Sequence, residues 1–138
     1  MRCVVDPGVL VAGIITPMGP PAEIVRRART GAIEIVVSPH LLGELASVLA
    51  RRKLRRYVTA EEASEYVEGL ARIGISVADP PRKGLITRDP NDDYLVALAR
   101  TSGADALVSG DRDLREADID VQVLTPRELI DRLGSARS

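Results

Sequence analysis

The amino-acid sequence predicts an α/β fold: a three-layer α/β/α sandwich whose central sheet is mainly parallel, with helices on both faces. Three observations lead there. Short apolar runs of strand character alternate with amphipathic stretches along the chain of 138 residues. Several helix starts are marked by Pro or by Ser/Thr caps shortly after a strand. No internal repeat or interdomain linker interrupts the pattern, so residues 1–138 are read as one domain.

The first strand covers Arg2 to Val5 and closes on Asp6. Pro7 and Gly8 stop it, and Val9 to Ile15 forms one or two helical turns. Pro17, Gly19, Pro20 and Pro21 break that helix, and Pro21 is suited to open the next one. Ile24, Val25 and Ala28 give this second helix its apolar side, Arg26, Arg27 and Arg29 face outward, and Gly31 ends it. Ile33 to Val37, rich in β-branched residues, is the second strand. Ser38 then caps a helix with Pro39 at its first position. Leu41, Leu42, Leu45, Val48 and Leu49 form its apolar stripe, with Glu44 at the border.

Thr59 and Glu62 make a capping box for a further helix with Ala63, Tyr66, Val67 and Leu70 inside. Ile73 to Val77 alternates like a strand, and a Pro-rich connection runs from Asp79 to Gly84. Asp92 and Asp93 form an acidic helix start leading into Tyr94–Ala99, and Gly103 is the stop. Ala106–Val108 is a buried strand running into Ser109-Gly110-Asp111-Arg112-Asp113. Ile119 to Leu124 is the last strand. Thr125 and Glu128 form a second capping box, with Leu129, Ile130 and Leu133 on the final helix. Residues 135–138 are expected to be a disordered tail.

Composition narrows the function. Hydrophobic residues make up 45% and charged residues 28%, a globular balance. With no Phe or Trp, Tyr57, Tyr66 and Tyr94 are the only aromatic rings. Stacking of bases on aromatic side chains is therefore excluded as the main mode of nucleic-acid contact. A net charge of -1 gives no global basic field, yet Arg51, Arg52, Lys53, Arg55 and Arg56 form a dense basic block. A single cysteine, Cys3, and a single histidine, His40, exclude an intramolecular disulfide and a Cys/His zinc cage. The chain enters a strand almost at once, leaving no room for a signal peptide, and has no membrane-spanning apolar run. A cytoplasmic protein is expected.

Carboxylates gather where strands end or helices begin: Asp6, Glu44, Asp92 with Asp93, and Asp111 with Asp113. Right-handed crossovers bring strand ends to one edge of a parallel sheet, the edge where open α/β sheets bind ligands. Each acid alone has an ordinary explanation as a turn residue, a helix-dipole partner or a solvated flank. Together, without basic partners, they repel one another unless a divalent cation sits among the oxygens. Mg²⁺ suits such a donor set and can assist phosphodiester hydrolysis.

These pieces, in this order, resemble a PIN-domain ribonuclease of the toxin-like branch related to the VapC toxins. The resemblance is carried by the first strand with Asp6, Val9-Leu10-Val11, Gly19-Pro20-Pro21, and Val36 through Leu45. Further on it is carried by Arg88-Asp89-Pro90-Asn91-Asp92-Asp93-Tyr94, Leu107 through Leu114, and Leu124 through Glu128. It implies an acidic Mg²⁺ or Mn²⁺ pocket that hydrolyses RNA. Asp6, Glu44, Asp92 and Asp111 match the catalytic acids; Asp6, Asp92 and Asp111, with Asp93 and Asp113 beside them, match the metal ligands. Ser109 matches a supporting hydroxyl. The resemblance also implies a cognate antitoxin that occludes the pocket, and a homodimer with the Thr59–Leu70 region as a candidate surface. Beside such a centre, the Arg51–Arg56 block becomes a candidate RNA contact.

The chain departs from the family in one place: Pro7 and Gly8 stand where a hydroxyl residue and then Asn usually follow the first Asp. Polar support for Asp6 is expected to be reduced, and outer-shell losses of that kind cost roughly 10–100-fold in affinity or activity. A non-cleaving domain that binds RNA or a protein partner is the alternative. A phosphotransfer enzyme with Asp6 as nucleophile fits poorly. Haloacid-dehalogenase-like phosphatases need a second Asp at the position of Gly8, and receiver-like domains need a late lysine, yet none follows Lys83.

Overall fold

A computed structural model describes residues 1–81, 90–117 and 119–134, with 90–92 described by backbone alone. The order is β1 (Arg2–Val5), α1 (Pro7–Ile15), α2 (Pro20–Arg29), β2 (Glu34–Val37), α3 (Pro39–Leu49), a 3₁₀ turn (Arg52–Arg56) and α4 (Ala60–Ile73). It continues with β3 (Ile75–Ser76), α5 (Pro90–Ser102), β4 (Ala106–Val108), α6 (Arg112–Glu116), β5 (Val123–Leu124) and α7 (Pro126–Gly134). The five strands form one sheet in the order β3-β2-β1-β4-β5, and every pairing is parallel. The α/β sandwich expected from the sequence is thus present.

This order carries a consequence for function. The chain lays down β1, β2 and β3 in one direction, then returns to place β4 on the other side of β1. Right-handed crossovers put α5 on the face opposite α1–α4, and α5 packs against β1 and β4 while α7 packs on α2. The reversal opens a crevice beyond the carboxyl ends of β1 and β4, the usual ligand position in such sheets. Val5 pairs with Val108 across it, so the residues that follow, Asp6 and Ser109, leave the sheet side by side.

The core is aliphatic. Cys3, Val4, Val5, Ile35, Val36, Val37, Ala106, Leu107 and Val108 are buried on both faces of the sheet, the continuous apolar pattern expected of a parallel sheet. Burial pushes the Cys3 thiol up to about 11, so it acts as a small apolar group. Both capping boxes form, with Thr59 and Glu62 exchanging hydrogen bonds at 3.0 and 2.9 Å and Thr125 and Glu128 at 3.1 and 2.8 Å. Gly103 has φ +67, as a left-handed helix stop requires. Gly74 is fixed by space: a Cβ there would lie 2.8 Å from the Leu70 carbonyl oxygen and 2.9 Å from the Val37 methyls.

Several boundaries differ from those expected. Helix α1 begins at Pro7, because Asp6 caps it and Pro at the first position has no amide to lose. Helix α2 likewise begins one residue early, at Pro20. Arg27 is folded in rather than facing outward, its Nε donating to Glu23 at 2.9 Å with only 13% of the side chain exposed. Helix α4 runs through Ile73, which shortens β3 to Ile75–Ser76. Strand β5 is restricted to Val123–Leu124. Upstream of it, Asp120 is drawn to the Arg100 guanidinium at 2.6 and 2.8 Å. Among the described residues no single helix is long and apolar enough to cross a membrane. The expected tail at 135–138, the Arg88-Asp89 pair and the Asp92 side chain lie outside the described residues.

Candidate active site

The crevice is organised by one buried hydroxyl. Ser109 is fully buried directly after β4. Its Oγ donates to Asp6 Oδ2 at 2.8 Å and accepts the Asp111 N–H at 3.0 Å. The other oxygen of Asp6, Oδ1, accepts the Gly8 N–H at 2.9 Å. The Asp6 backbone N–H donates to the Val108 carbonyl, also at 2.9 Å, prolonging the β1–β4 ladder by one bond. Both carboxylate oxygens of Asp6 are therefore oriented by neutral donors, and the group's charge is not cancelled.

Pro7 and Gly8 acquire a meaning their sequence alone did not suggest. Pro7 starts α1, and Gly8 supplies a backbone N–H to Asp6. Polar support expected to be missing comes instead from a main-chain amide and from Ser109, 103 residues away. Asp111 uses Oδ1 to accept the Asp113 N–H at 2.9 Å and so caps α6. Both acids remain exposed.

The remaining predicted residues approach the same edge to different degrees. Asp93 is buried on the first turn of α5. Glu44 lies half-buried on the second turn of α3, the helix that starts where β2 ends. The Arg51–Arg56 block does not join them. It follows the far end of α3, whose 11 residues span about 16 Å. Arg55 Nη1 donates there to the Leu49 and Val58 carbonyls at 3.0 and 3.1 Å, while Arg56 lies over the Tyr57 ring at 5.7 Å.

The donor chemistry of this edge suits a hard divalent cation: it is all oxygen, it is anionic, and among the described residues no Arg or Lys forms an ion pair with Asp6, Glu44, Asp111 or Asp113. Among the described residues, however, no three His, Cys, Asp or Glu side chains form a group that could hold a metal ion. The Asp6 carboxylate and the Asp111 main-chain N–H meet at the Ser109 hydroxyl.

A second polar cluster lies at the same edge, beyond β2 and β3, and sequence reasoning did not find it. Ser38 is the N-cap of α3, its buried Oγ accepting the Leu41 N–H at 3.3 Å. That oxygen also bonds the hydroxyl of Tyr94 on α5. Tyr94 donates to Asp79 Oδ1 at 2.6 Å, and the Asp79 carboxylate accepts the His40 N–H at 3.1 and 3.2 Å. The His40 ring meets Tyr94 edge-on, 4.4 Å between centroids. Desolvation and the Asp79 contact push the Tyr94 phenol up to about 12. Desolvation acts to raise Asp79, but hydrogen bonds from Tyr94, Ser38 and His40 outweigh it and hold Asp79 below its ordinary value. In the sequence, only Ser38 carried a signal, as a cap; Asp79 sat unremarked in a Pro-rich connection.

Comparison with known proteins agrees with the fold. Residues 2–113 match the PIN domain family. An uncharacterised protein of Methanocaldococcus jannaschii, MJ1680, is 25% identical over 95% of this chain and 90% of its own length. The crystal structure of PAE2754 from Pyrobaculum aerophilum superposes with a TM-score of 0.64 at 17% identity, covering 97% of this chain and 89% of that one. A chain in the crystal structure of VapBC2 from Rickettsia felis, bound to a DNA fragment from their promoter, gives the same TM-score of 0.64 at 15% identity. Coverage there is 91% of this chain and 98% of that chain. At these identities the two structures show a shared fold.

Proposed function

Because the chain belongs to the PIN domain family, whose members are generally nucleases, we propose that it is a metal-dependent ribonuclease and the toxin of a toxin–antitoxin pair. The observation that carries this reading is the Asp6 carboxylate in the switch-point crevice, oriented by Ser109 and Gly8 and left unneutralised by any described cation. Asp6, Asp92 and Asp111 would hold Mg²⁺ or Mn²⁺, with Asp93 and Asp113 beside them. When bound, such an ion polarises a phosphate oxygen and eases deprotonation of water. Glu44 orients the attacking water and takes its proton. Ser109 keeps Asp6 from rotating away from the crevice. Arg51, Arg52, Lys53 and Arg56 contact the RNA backbone at a distance from the cleaved bond, across the length of α3.

A cognate antitoxin is the proposed protein partner, masking the acids with a basic side chain, and a homodimer using the α4 region is the proposed assembly. The likeness in fold to a chain of VapBC2 supports the first of these.

The test is cleavage of RNA with added Mn²⁺. Asp6→Asn should lower the rate roughly 10²–10³-fold, the scale of losing one preorganised electrostatic contact, and excess chelator should do the same to the wild type. Equal cleavage without Asp6 or with chelator sinks the assignment. A second reading is binding without cleavage, motivated by Pro7 and Gly8 standing where polar residues usually follow the first Asp. Calorimetry decides between the two, since RNA binding without Mn²⁺ uptake supports the second.

A further inference from the structure

We propose that Tyr94 is a positioning residue, whose hydroxyl, clamped between Ser38 and Asp79, fixes the first turn of α5 and with it the acids Asp92 and Asp93. The inference rests on the nuclease reading given above.

The geometry has a fixed polarity. Asp79 as a carboxylate can only accept, so the Tyr94 proton goes to Oδ1 at 2.6 Å. Ser38 Oγ bonds the same Tyr94 hydroxyl and accepts from Leu41 at 3.3 Å. The chain joins the start of α3, the segment after β3 and the start of α5. Both hydroxyl residues are buried, Ser38 at 2% and Tyr94 at 7% exposure. Tyr94 follows Asp93 directly, and Asp92 lies two residues, or about 3 Å of helix rise, before it. A hydroxyl at the end of a tyrosine side chain is a long lever on helix rotation, so holding it sets the phase of the helix start that carries Asp92 and Asp93.

Tyr66 supplies the contrast. Its hydroxyl is also buried, donating to the Leu10 carbonyl at 2.6 Å, but this bond only ties α4 to α1 and reaches no acid.

The experiment compares Tyr94→Phe with Tyr66→Phe. Each removes one buried hydroxyl, and each should lower thermal stability. Mn²⁺ calorimetry separates them. Tyr94→Phe should weaken binding roughly 10–100-fold, as loss of outer support commonly does, while Tyr66→Phe stays within about twofold of wild type. Without metal, amide hydrogen exchange should quicken at the start of α5 in Tyr94→Phe alone. Should Tyr94→Phe fail to fold, Asp79→Asn weakens the same clamp from the exposed side and should also weaken Mn²⁺ binding. Wild-type Mn²⁺ affinity in Tyr94→Phe, or an equal loss in Tyr66→Phe, overturns the inference alone. A wild-type protein that takes up no Mn²⁺ overturns the nuclease reading and this inference with it.

Discussion

The two edges of the sheet use the same residue types to opposite electrostatic ends. At the amino edge Glu34 and Asp120 pair with arginine, while Asp105 takes a main-chain N–H. Arg2 Nε lies 3.4 Å from Glu34 Oε1, the Arg2 N–H donates to Asp105 at 2.8 Å, and Arg100 holds Asp120 at 2.6 Å. At the carboxyl edge Asp6 and Asp111 are held by a hydroxyl and by main-chain amides, which orient a carboxylate without neutralising it. An acid paired with arginine is finished locally, whereas an acid held by neutral donors still attracts a cation from outside. The difference lies in the partners: they leave charge available at the carboxyl edge and neutralise it at the amino edge.

Removing the neutral support should have the largest effect. Ser109→Ala takes a donor from Asp6 and an acceptor from the Asp111 N–H, and metal affinity measured by Mn²⁺ calorimetry should fall roughly 10–100-fold. The same change should cost about 1–3 kcal/mol in urea unfolding, because buried polar groups lose partners. Unchanged affinity would mean that Ser109 serves folding only. Gly110→Arg asks the converse question by giving the carboxyl edge the cation it lacks. A Cβ at position 110 meets no described atom within 4 Å, so the fold should survive while Mn²⁺ affinity drops about tenfold, the scale of a nearby like charge contributing about 1.4 kcal/mol. Equal affinity in this variant would remove the electrostatic half of the comparison.

Asp79 is the acid of the carboxyl edge committed to structure, and pH should reveal it. Its folded pKa is depressed below the ordinary 3.8, so its contribution is fully present above that value and is lost as pH falls through the lower folded pKa. The Tm of Asp79→Asn should therefore lie below wild type at pH 6, with the gap closing under pH 3.8. A gap independent of pH would show that charge on Asp79 plays no part.

Much of this was legible in the sequence because it depends on local rules. Strand identity, the capping boxes and the stop at Gly103 follow from side-chain periodicity and cap chemistry, and all are found. The shared edge of Asp6 and Asp111 followed from alternation and handedness, whereas Ser109 entered only through the family resemblance. What could not be read were relations set by tertiary approach. Asp79 looks like a loop residue until α5 brings Tyr94 against it. The Gly8 amide is invisible in a residue list because every residue but proline has one. The basic block seemed close to the acids only while the direction of α3 was unknown. Strand ends failed where a helix cap or an ion pair competed, as at Ile73 and Asp120.

The smallest expected effect falls at the amino edge. Glu34→Gln removes one partner of a pair whose side chains are 37% and 49% exposed, and exposed pairs of this kind contribute about 0–1 kcal/mol. Added salt should shrink even that difference, since screening acts on exposed charges. Both RNA cleavage and Mn²⁺ affinity should match wild type, because Arg2 and Glu34 sit at the opposite ends of β1 and β2 from Asp6 and Ser38. A fall in cleavage at unchanged stability would carry more weight than its size suggests. It would mean that the amino-edge pairs tune the acids through the sheet, and the two edges would have to be treated as one electrostatic unit.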